Sequence, residues 1–267
     1  MEKLHFTYSQ LLTEAVNTPG KLNEAYWYFY KYSVFNQLLL RLQGCASPVA
    51  TFKKWVERGR TIKKNMKAKM IVIPQTYKKI ETDEFGEDEV TGTYFTFRNC
   101  IFSLDDTIGE YYHMDKRNVP SFDKTKLLTT LNIKEIPFRK LDGNVQGYAY
   151  TATKEIAINP LGFNHDKTLL HEVAHCLLHG KDNQNGTFHH GSSLPKSIEE
   201  YEAESTAYIA GSMLNILDNE SREFSRGYIQ DWLQGSSSKV PESSARRIFS
   251  AVDKIIKVLE TEIVTGS

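Results

Sequence analysis

Residues His171-Glu172-Val173-Ala174-His175 set two imidazoles four positions apart inside an apolar run. That spacing constrains the fold more than any other feature, because only a helix brings both rings to one face, one turn apart. The run from His165 to Gly180 opens with Asp166 as a candidate cap. It is apolar at Leu169, Leu170, Val173, Ala174, Leu177 and Leu178, and it stops at a glycine suited to a helix end. It predicts a half-buried helix of about four turns whose apolar stripe other elements must cover. Just upstream, Glu155-Ile156-Ala157-Ile158-Asn159-Pro160 predicts a short strand ended by proline. Such a strand, at the edge of a sheet beside a metal-bearing helix, pairs with extended substrate.

Two imidazoles on one helical face hold a zinc ion, and the glutamate between them, Glu172, is positioned to act as general base toward a metal-bound water. The expected activity is that of a zinc hydrolase, specifically a peptidase. A catalytic zinc needs a third protein ligand and one open position. Downstream, Ser197-Ile198-Glu199-Glu200 matches a capping box and opens a helix through about Leu217. Glu202 shares a face with Ser205, Thr206 and Ile209, a small and apolar stripe suited to packing on another helix, and is the first choice of ligand. Glu204, which shares a different face with Glu200, is the second choice, and Glu199 the third. A pattern with a glycine and a third histidine after the second one is excluded, since Leu178 and Lys181 occupy those places. His179 reads as a helix C-terminal residue, and His189 and His190 fall in a polar loop.

This half resembles the ImmA/IrrE-type zinc peptidases, in which HExxH is followed by a second helix bearing a glutamate-alanine pair, here Glu202-Ala203. The resemblance implies that His171, His175 and Glu202 bind zinc and that Glu172 activates water.

The chain's net charge of zero conceals a division. Residues 1–80 hold 14 lysines and arginines against four glutamates and no aspartate, so the remainder is correspondingly acidic. A basic module joined to an acidic one points to a polyanionic partner for the first. Between residues 53 and 79, Lys53, Lys54, Arg58, Arg60, Lys63, Lys64, Lys67 and Lys69 are interleaved with Trp55 and flanked by Phe52 and Tyr77. Cations that track phosphates and rings that stack on bases suit single-stranded nucleic acid. The dense run Tyr26-Trp27-Tyr28-Phe29-Tyr30-Lys31-Tyr32 reads mainly as core, with a minority of rings free to stack.

Ser33-Val34-Phe35-Asn36-Gln37-Leu38-Leu39-Leu40, then Thr51-Phe52-Lys53-Lys54-Trp55, Gly59-Arg60-Thr61-Ile62-Lys63-Lys64-Asn65 and Ile71-Val72-Ile73-Pro74, are similar to the single-stranded-DNA-binding domain of ArdC-type antirestriction proteins. Members of that family also carry a C-terminal metallopeptidase-like domain, so the resemblance runs from about residue 5 to 215. Asn65 stands where a glycine is usual, and asparagine tolerates the left-handed backbone such a turn needs. The acidic segment 82–90 is expected to form a hairpin or a linker insertion.

The expected architecture is α+β in two domains. Residues 1–118 would form a single-stranded-DNA-binding domain of helices (about 5–17, 20–43 and 50–58) and strands (70–77, 92–97 and 100–104). Residues 119–267 would form a zincin-like metallopeptidase domain, with 115–123 as linker. Tyr148 or Tyr150, ahead of the strand, is a candidate to hold an oxyanion. No apolar run is long enough to cross a membrane, no secretory leader is evident, and Cys45, Cys100 and Cys176 are unpaired by count, which fits a cytoplasmic protein. The implied role is that of a mobile-element (plasmid or phage) antirestriction protein that takes single-stranded DNA, a zinc ion and an unidentified protein or peptide substrate. The alternatives are a DNA-binding protector with a structural or dispensable zinc site, and a regulatory peptidase that cleaves a repressor.

Overall fold

The computed structural model describes residues 7–18, 20–83, 86–113, 117–141, 144–180, 195–235 and 241–260. Helix α1 (Tyr8–Asn17) opens on a capping box, in which Thr7 Oγ1 accepts from Gln10 N at 3.1 Å and Gln10 Oε1 accepts from Thr7 N at 2.9 Å. The segment expected as one helix over 20–43 is two, α2 (Gly20–Phe29) and α3 (Val34–Leu42). The break falls where the Ser33 hydroxyl accepts from Asn36 N and starts a new helix. Strand β1 (Val49–Thr51) leads directly into α4 (Phe52–Glu57), followed by β2 (Arg60–Ile62).

A long hairpin comes next, β3 (Lys69–Asp83) and β4 (Gly86–Ser103), and then β5 (Thr107–Gly109). The strands expected over 92–97 and 100–104 are one continuous β4. The acidic segment continues the same hairpin, with Thr82 opposite Glu87, and is therefore a hairpin and not a linker. Strands β1, β4 and β3 form one antiparallel sheet in that order, and β2 pairs with β5. The outer edge of β3 is covered by side-chain amides of α3. Asn36 exchanges two hydrogen bonds of 2.8 Å with Val72 N and O, and Gln43 does the same with Met70 at 2.7 and 2.8 Å. Buried backbone groups that lack a neighbouring strand are satisfied in this way.

The remainder is α5 (Lys124–Leu131), a three-stranded sheet of β6 (Lys134–Glu135), β7 (Gly147–Tyr150) and β8 (Glu155–Ile158), and four helices, α6 (His165–Leu178), α7 (Lys196–Met213), α8 (Asn219–Gly235) and α9 (Glu242–Glu260). The sheet order is β6-β8-β7, with β8 parallel to β6 and antiparallel to β7. Strand β8, expected at the edge, is therefore central, and β7 takes the edge.

The α+β class agrees with the sequence, but the largest core crosses the expected boundary at 118/119. It unites Leu11, Val34 and Leu39 with Leu170, Tyr208, Ile248 and Val252. Tyr208 Oη donates to Val16 O at 3.1 Å, and Glu242 and Asp253 of α9 accept from the first residues of α1 and α3 (Tyr8 N at 2.6 Å, Val34 N at 2.7 Å). A smaller core of Phe29, Leu40, Cys45, Ile71 and Ile101 lies under the first sheet. Among the described residues no helix is long and apolar enough to cross a membrane.

Burial pushes the Asp253 carboxyl up to about 6, although the Val34 N–H bond works against the shift. Between about pH 4 and 6 the folded chain therefore binds more protons at this site than the unfolded one. Stability falls as pH rises through that window, by up to about 3 kcal/mol. Asparagine keeps the acceptor for Val34 N and removes the charge. Asp253→Asn is expected to be at least as stable as wild type above pH 7 and to lose this site's contribution to the rise in stability between pH 7 and 5, as denaturant midpoints across pH will show.

Candidate metal centre and basic face

The helix that carries the histidines starts two residues earlier than a cap at Asp166 would allow. Asn164, with φ of 46°, accepts from Lys167 N at 2.9 Å. Helix α6 lies across β7 and β8 and packs along α7. His171 and His175 point their Nε2 atoms at each other, 3.1 Å apart, and Glu200 of α7 brings Oε2 to 3.3 Å from His171 Nε2 and 3.6 Å from His175 Nε2. Ligand bonds of about 2.0–2.1 Å at tetrahedral angles require ligand atoms roughly 3.3 Å apart. His171, His175 and Glu200 thus form a triangle of the size a divalent metal takes, and they are a group able to hold one. The arrangement loads the donors electrostatically. Burial opposes the charged form of His171, but Glu200 and Glu204 outweigh it and push the imidazole up to about 9, while the two imidazoles hold Glu200 far below the usual carboxylate range.

Behind each imidazole stands a group that fixes its tautomer. His171 Nδ1 lies 3.0 Å from Glu204 Oε2, so a proton on Nδ1 leaves the Nε2 lone pair free. His175 Nδ1 lies 3.0 Å from His179 Nδ1, and His179 Nε2 lies 3.2 Å from Glu202 Oε2. A carboxylate only accepts, so His179 carries its proton on Nε2. Its Nδ1 then accepts from His175, whose Nε2 is left free in turn. Glu204 is held low, to about 2: burial raises it, but His171 and Lys167 (2.8 Å) outweigh that effect.

Glu202, expected as the third ligand, lies outside this triangle. It is fully buried, and its carboxylate is engaged by the Arg247 guanidinium of α9, with Nε–Oε2 at 3.2 Å, as well as by His179. Burial raises the Glu202 carboxyl, and those two partners more than reverse the shift. An apolar stripe does not single out one glutamate here, because α7 is buried all round from Tyr201 to Leu214 and has no polar face to orient it. The usable signal was the i, i+4 pair Glu200 and Glu204, which faces α6. The helix begins at Lys196 after Pro195, so Ser197 falls inside the first turn and makes no cap. His189 and His190 lie outside the described residues.

Glu172 is buried against β7. A Cβ placed on Gly147 would lie 2.8 Å from Thr168 Cγ2 and 2.9 Å from Glu172 Oε1, so a larger residue here would displace the carboxylate. Burial raises the Glu172 carboxyl, and the two imidazoles oppose the shift. The triangle and Glu172 open on a cleft of about 600 Å³, lined also by Tyr148, Lys140 and the β7 backbone. Tyr148 accepts from Arg139 N at 3.3 Å, whereas Tyr150 is half exposed and stands edge-on to Tyr148, away from the cleft lining.

The residues expected to meet nucleic acid divide into two groups. Lys53, Lys54, Arg58, Lys63, Lys64 and Lys67 are exposed. Trp55 is wholly buried and donates Nε1–H to Phe102 O at 2.8 Å. Arg60 donates to Thr107 Oγ1 at 2.8 Å, tying β2 to β5, and Lys69 sits 3.9 Å from buried Asp106. Asn65 adopts φ of 67°, the left-handed turn expected of it.

Residues 14–102 match the family model for the N-terminal domain of the anti-restriction factor ArdC. No curated protein matches the sequence. Two crystal structures of the antirestriction ArdC protein from plasmid R388 share the fold. The metal-free form has a TM-score of 0.52 at 18% identity and covers 95% of both chains. The Mn(II)-bound form has a TM-score of 0.55 at 16% identity and covers 96% of this chain and 99% of that one. Residues 14–102 thus match the ArdC N-terminal domain in sequence, and the chain shares the fold of the R388 ArdC protein over almost its whole length.

Proposed function

We propose that the chain is an antirestriction protein that binds single-stranded DNA through its basic N-terminal face and carries a zinc-dependent peptidase centre at His171, His175 and Glu200, with Glu172 as general base. One observation carries the peptidase reading. Two imidazole Nε2 atoms and a carboxylate oxygen converge at 3.1, 3.3 and 3.6 Å on the cleft into which Glu172 opens. Two imidazoles and one carboxylate are a catalytic zinc donor set, and the Mn(II) held by the R388 protein supports a divalent ion in this fold. When bound, the ion would supply Lewis acidity to a peptide carbonyl and lower the pKa of water.

The other steps fall to the chain's own side chains. Glu172, with its carboxyl raised by burial, takes the proton of the attacking water and passes it to the leaving nitrogen. The edge of β7, which no strand covers among the described residues, would align an extended peptide by strand addition, with Tyr148 of the same strand lining the cleft as the candidate to hold the carbonyl oxygen. Glu204 and the Glu202–His179 pair hold the two imidazoles in their ligating tautomers. The DNA-binding reading rests on the ArdC N-terminal match together with the exposed Lys53, Lys54, Arg58, Lys63, Lys64 and Lys67. In the chain's biological role, peptidase and DNA binding act together on behalf of incoming mobile DNA.

Metal analysis separates the two glutamates. Glu200→Ala is expected to lose stoichiometric zinc. Glu202→Gln should retain it at saturating metal but lose about 3 kcal/mol of stability, because Arg247 keeps its buried charge without a full partner. Equal zinc loss in both would return Glu202 to the ligand set. Glu172→Gln is expected to bind zinc and DNA as wild type does and to slow peptide hydrolysis about 10²- to 10⁴-fold, read with a peptide library. Charge reversal of Lys63 and Lys64 should weaken single-stranded DNA binding and flatten its salt dependence by about two phosphate contacts in a filter-binding titration. Binding that ignores salt in the wild type would defeat the DNA assignment.

A further inference from the structure

A second cavity, of about 320 Å³, lies in the N-terminal half and is not part of the metal cleft. Its walls are Tyr28 and Tyr32 from the end of α2 and the turn after it, Lys54 and Arg58 from α4, and Tyr112 beyond β5. Its floor is β1, which no strand covers on its outer side among the described residues. The groups are held firmly. The Arg58 guanidinium lies 5.3 Å from the Trp55 ring and 5.0 Å from the Tyr112 ring, and the Trp55 and Tyr112 rings meet edge to face at 5.4 Å. Trp55 is itself anchored to Phe102 O, so α4, β4 and the Tyr112 segment form one rigid wall. Tyr32 is half-buried, and burial keeps its hydroxyl protonated and able to donate.

We infer that this cavity receives one unstacked base of single-stranded DNA. The base lies among the tyrosine rings with its polar edge toward β1, and the flanking phosphates meet Lys54 and Arg58. Planar rings at the walls suit a nucleobase, the uncovered strand edge offers backbone donors and acceptors to its rim, and cations at the mouth match the phosphates on either side. A base paired in a duplex is buried in its own stack and has no way in without being extruded, so the cavity discriminates between single strand and duplex where surface lysines alone do not. The inference rests on the DNA-binding reading above and goes further, because it places the base, and not only the backbone, in contact with the protein.

The full chain, loaded with zinc, is titrated with a thymine oligonucleotide and with an abasic oligonucleotide of the same length, which keeps the phosphates and lacks the bases. Wild type should bind the thymine strand more tightly than the abasic one. Tyr112→Leu, which keeps apolar contact with Trp55, should bind the thymine strand about ten-fold more weakly and the abasic strand as wild type does, with an unchanged salt slope. Tyr28→Leu, on the opposite wall, should repeat the result, and it decides the matter if Tyr112→Leu melts early. If the variants weaken both strands equally, or neither, the base does not enter this cavity, although DNA still binds elsewhere. If wild type binds neither strand at low salt, the DNA-binding reading itself falls, and the base pocket with it.

Discussion

The C-terminal architecture hangs on one buried ion pair, Glu202 with Arg247. Both side chains are removed from water, so each is tolerable only because the other neutralises it and because Ser244 and His179 take up remaining hydrogen-bonding capacity. The pair pins α9 against α7, and through His179 it reaches His175. The energetic consequence is asymmetric. Removing one member strands a charge in the core, whereas the intact pair contributes little net stability over a well-packed apolar substitute. What it does secure is orientation, because a carboxylate at the far end of two imidazoles leaves one arrangement of protons in which His175 presents a free Nε2 to the cleft.

How legible the site was follows from the range of the forces involved. The histidine helix and the strand before it were readable because residue spacing is local, although the cap is Asn164 and not Asp166. The third carboxylate was not, since four acids sit within six residues of α7 and only the tertiary environment assigns one to the cleft, one to His171 and one to Arg247. His179 looked like a helix-end residue, and it is one; its spacing of four from His175 is visible in the sequence, but its partner Glu202 lies on another helix and leaves no sequence trace. Similarly, β8 read correctly as a strand, while its central position depends on β7 pairing outside it, a matter of tertiary order that an isolated strand pattern does not carry.

In the N-terminal half the sequence overestimated how many basic and aromatic residues are free. A run of cations reads as one surface, yet Arg60 and Lys69 are partly consumed by β5 and by Asp106, and Trp55 is core. The division has a physical cause. The two short strands β2 and β5 cannot bury much apolar surface, and Arg60 supplies the cross-links that a larger sheet would obtain from its ladder. The charges that remain exposed cluster around α4 and the turn at Asn65, so the basic face is narrower than the sequence suggested.

Helix α9 connects the two sites. Arg247 at one end reaches the metal helix through Glu202 and His179. Further along, Asp253 accepts from the first residue of α3, and Glu260 from the Tyr26 hydroxyl of α2. Helix α2 ends in the tyrosines that wall the second cavity, so a continuous series of hydrogen bonds and packed side chains runs from one site to the other. Such a connection is not allostery, which requires an element with two arrangements that both ligands bias. With one packed arrangement, α9 acts as a rigid spacer, and rigidity has its own functional value. Under the proposed function, a DNA strand at the second cavity and a peptide along β7 would lie at a separation that α9 holds fixed.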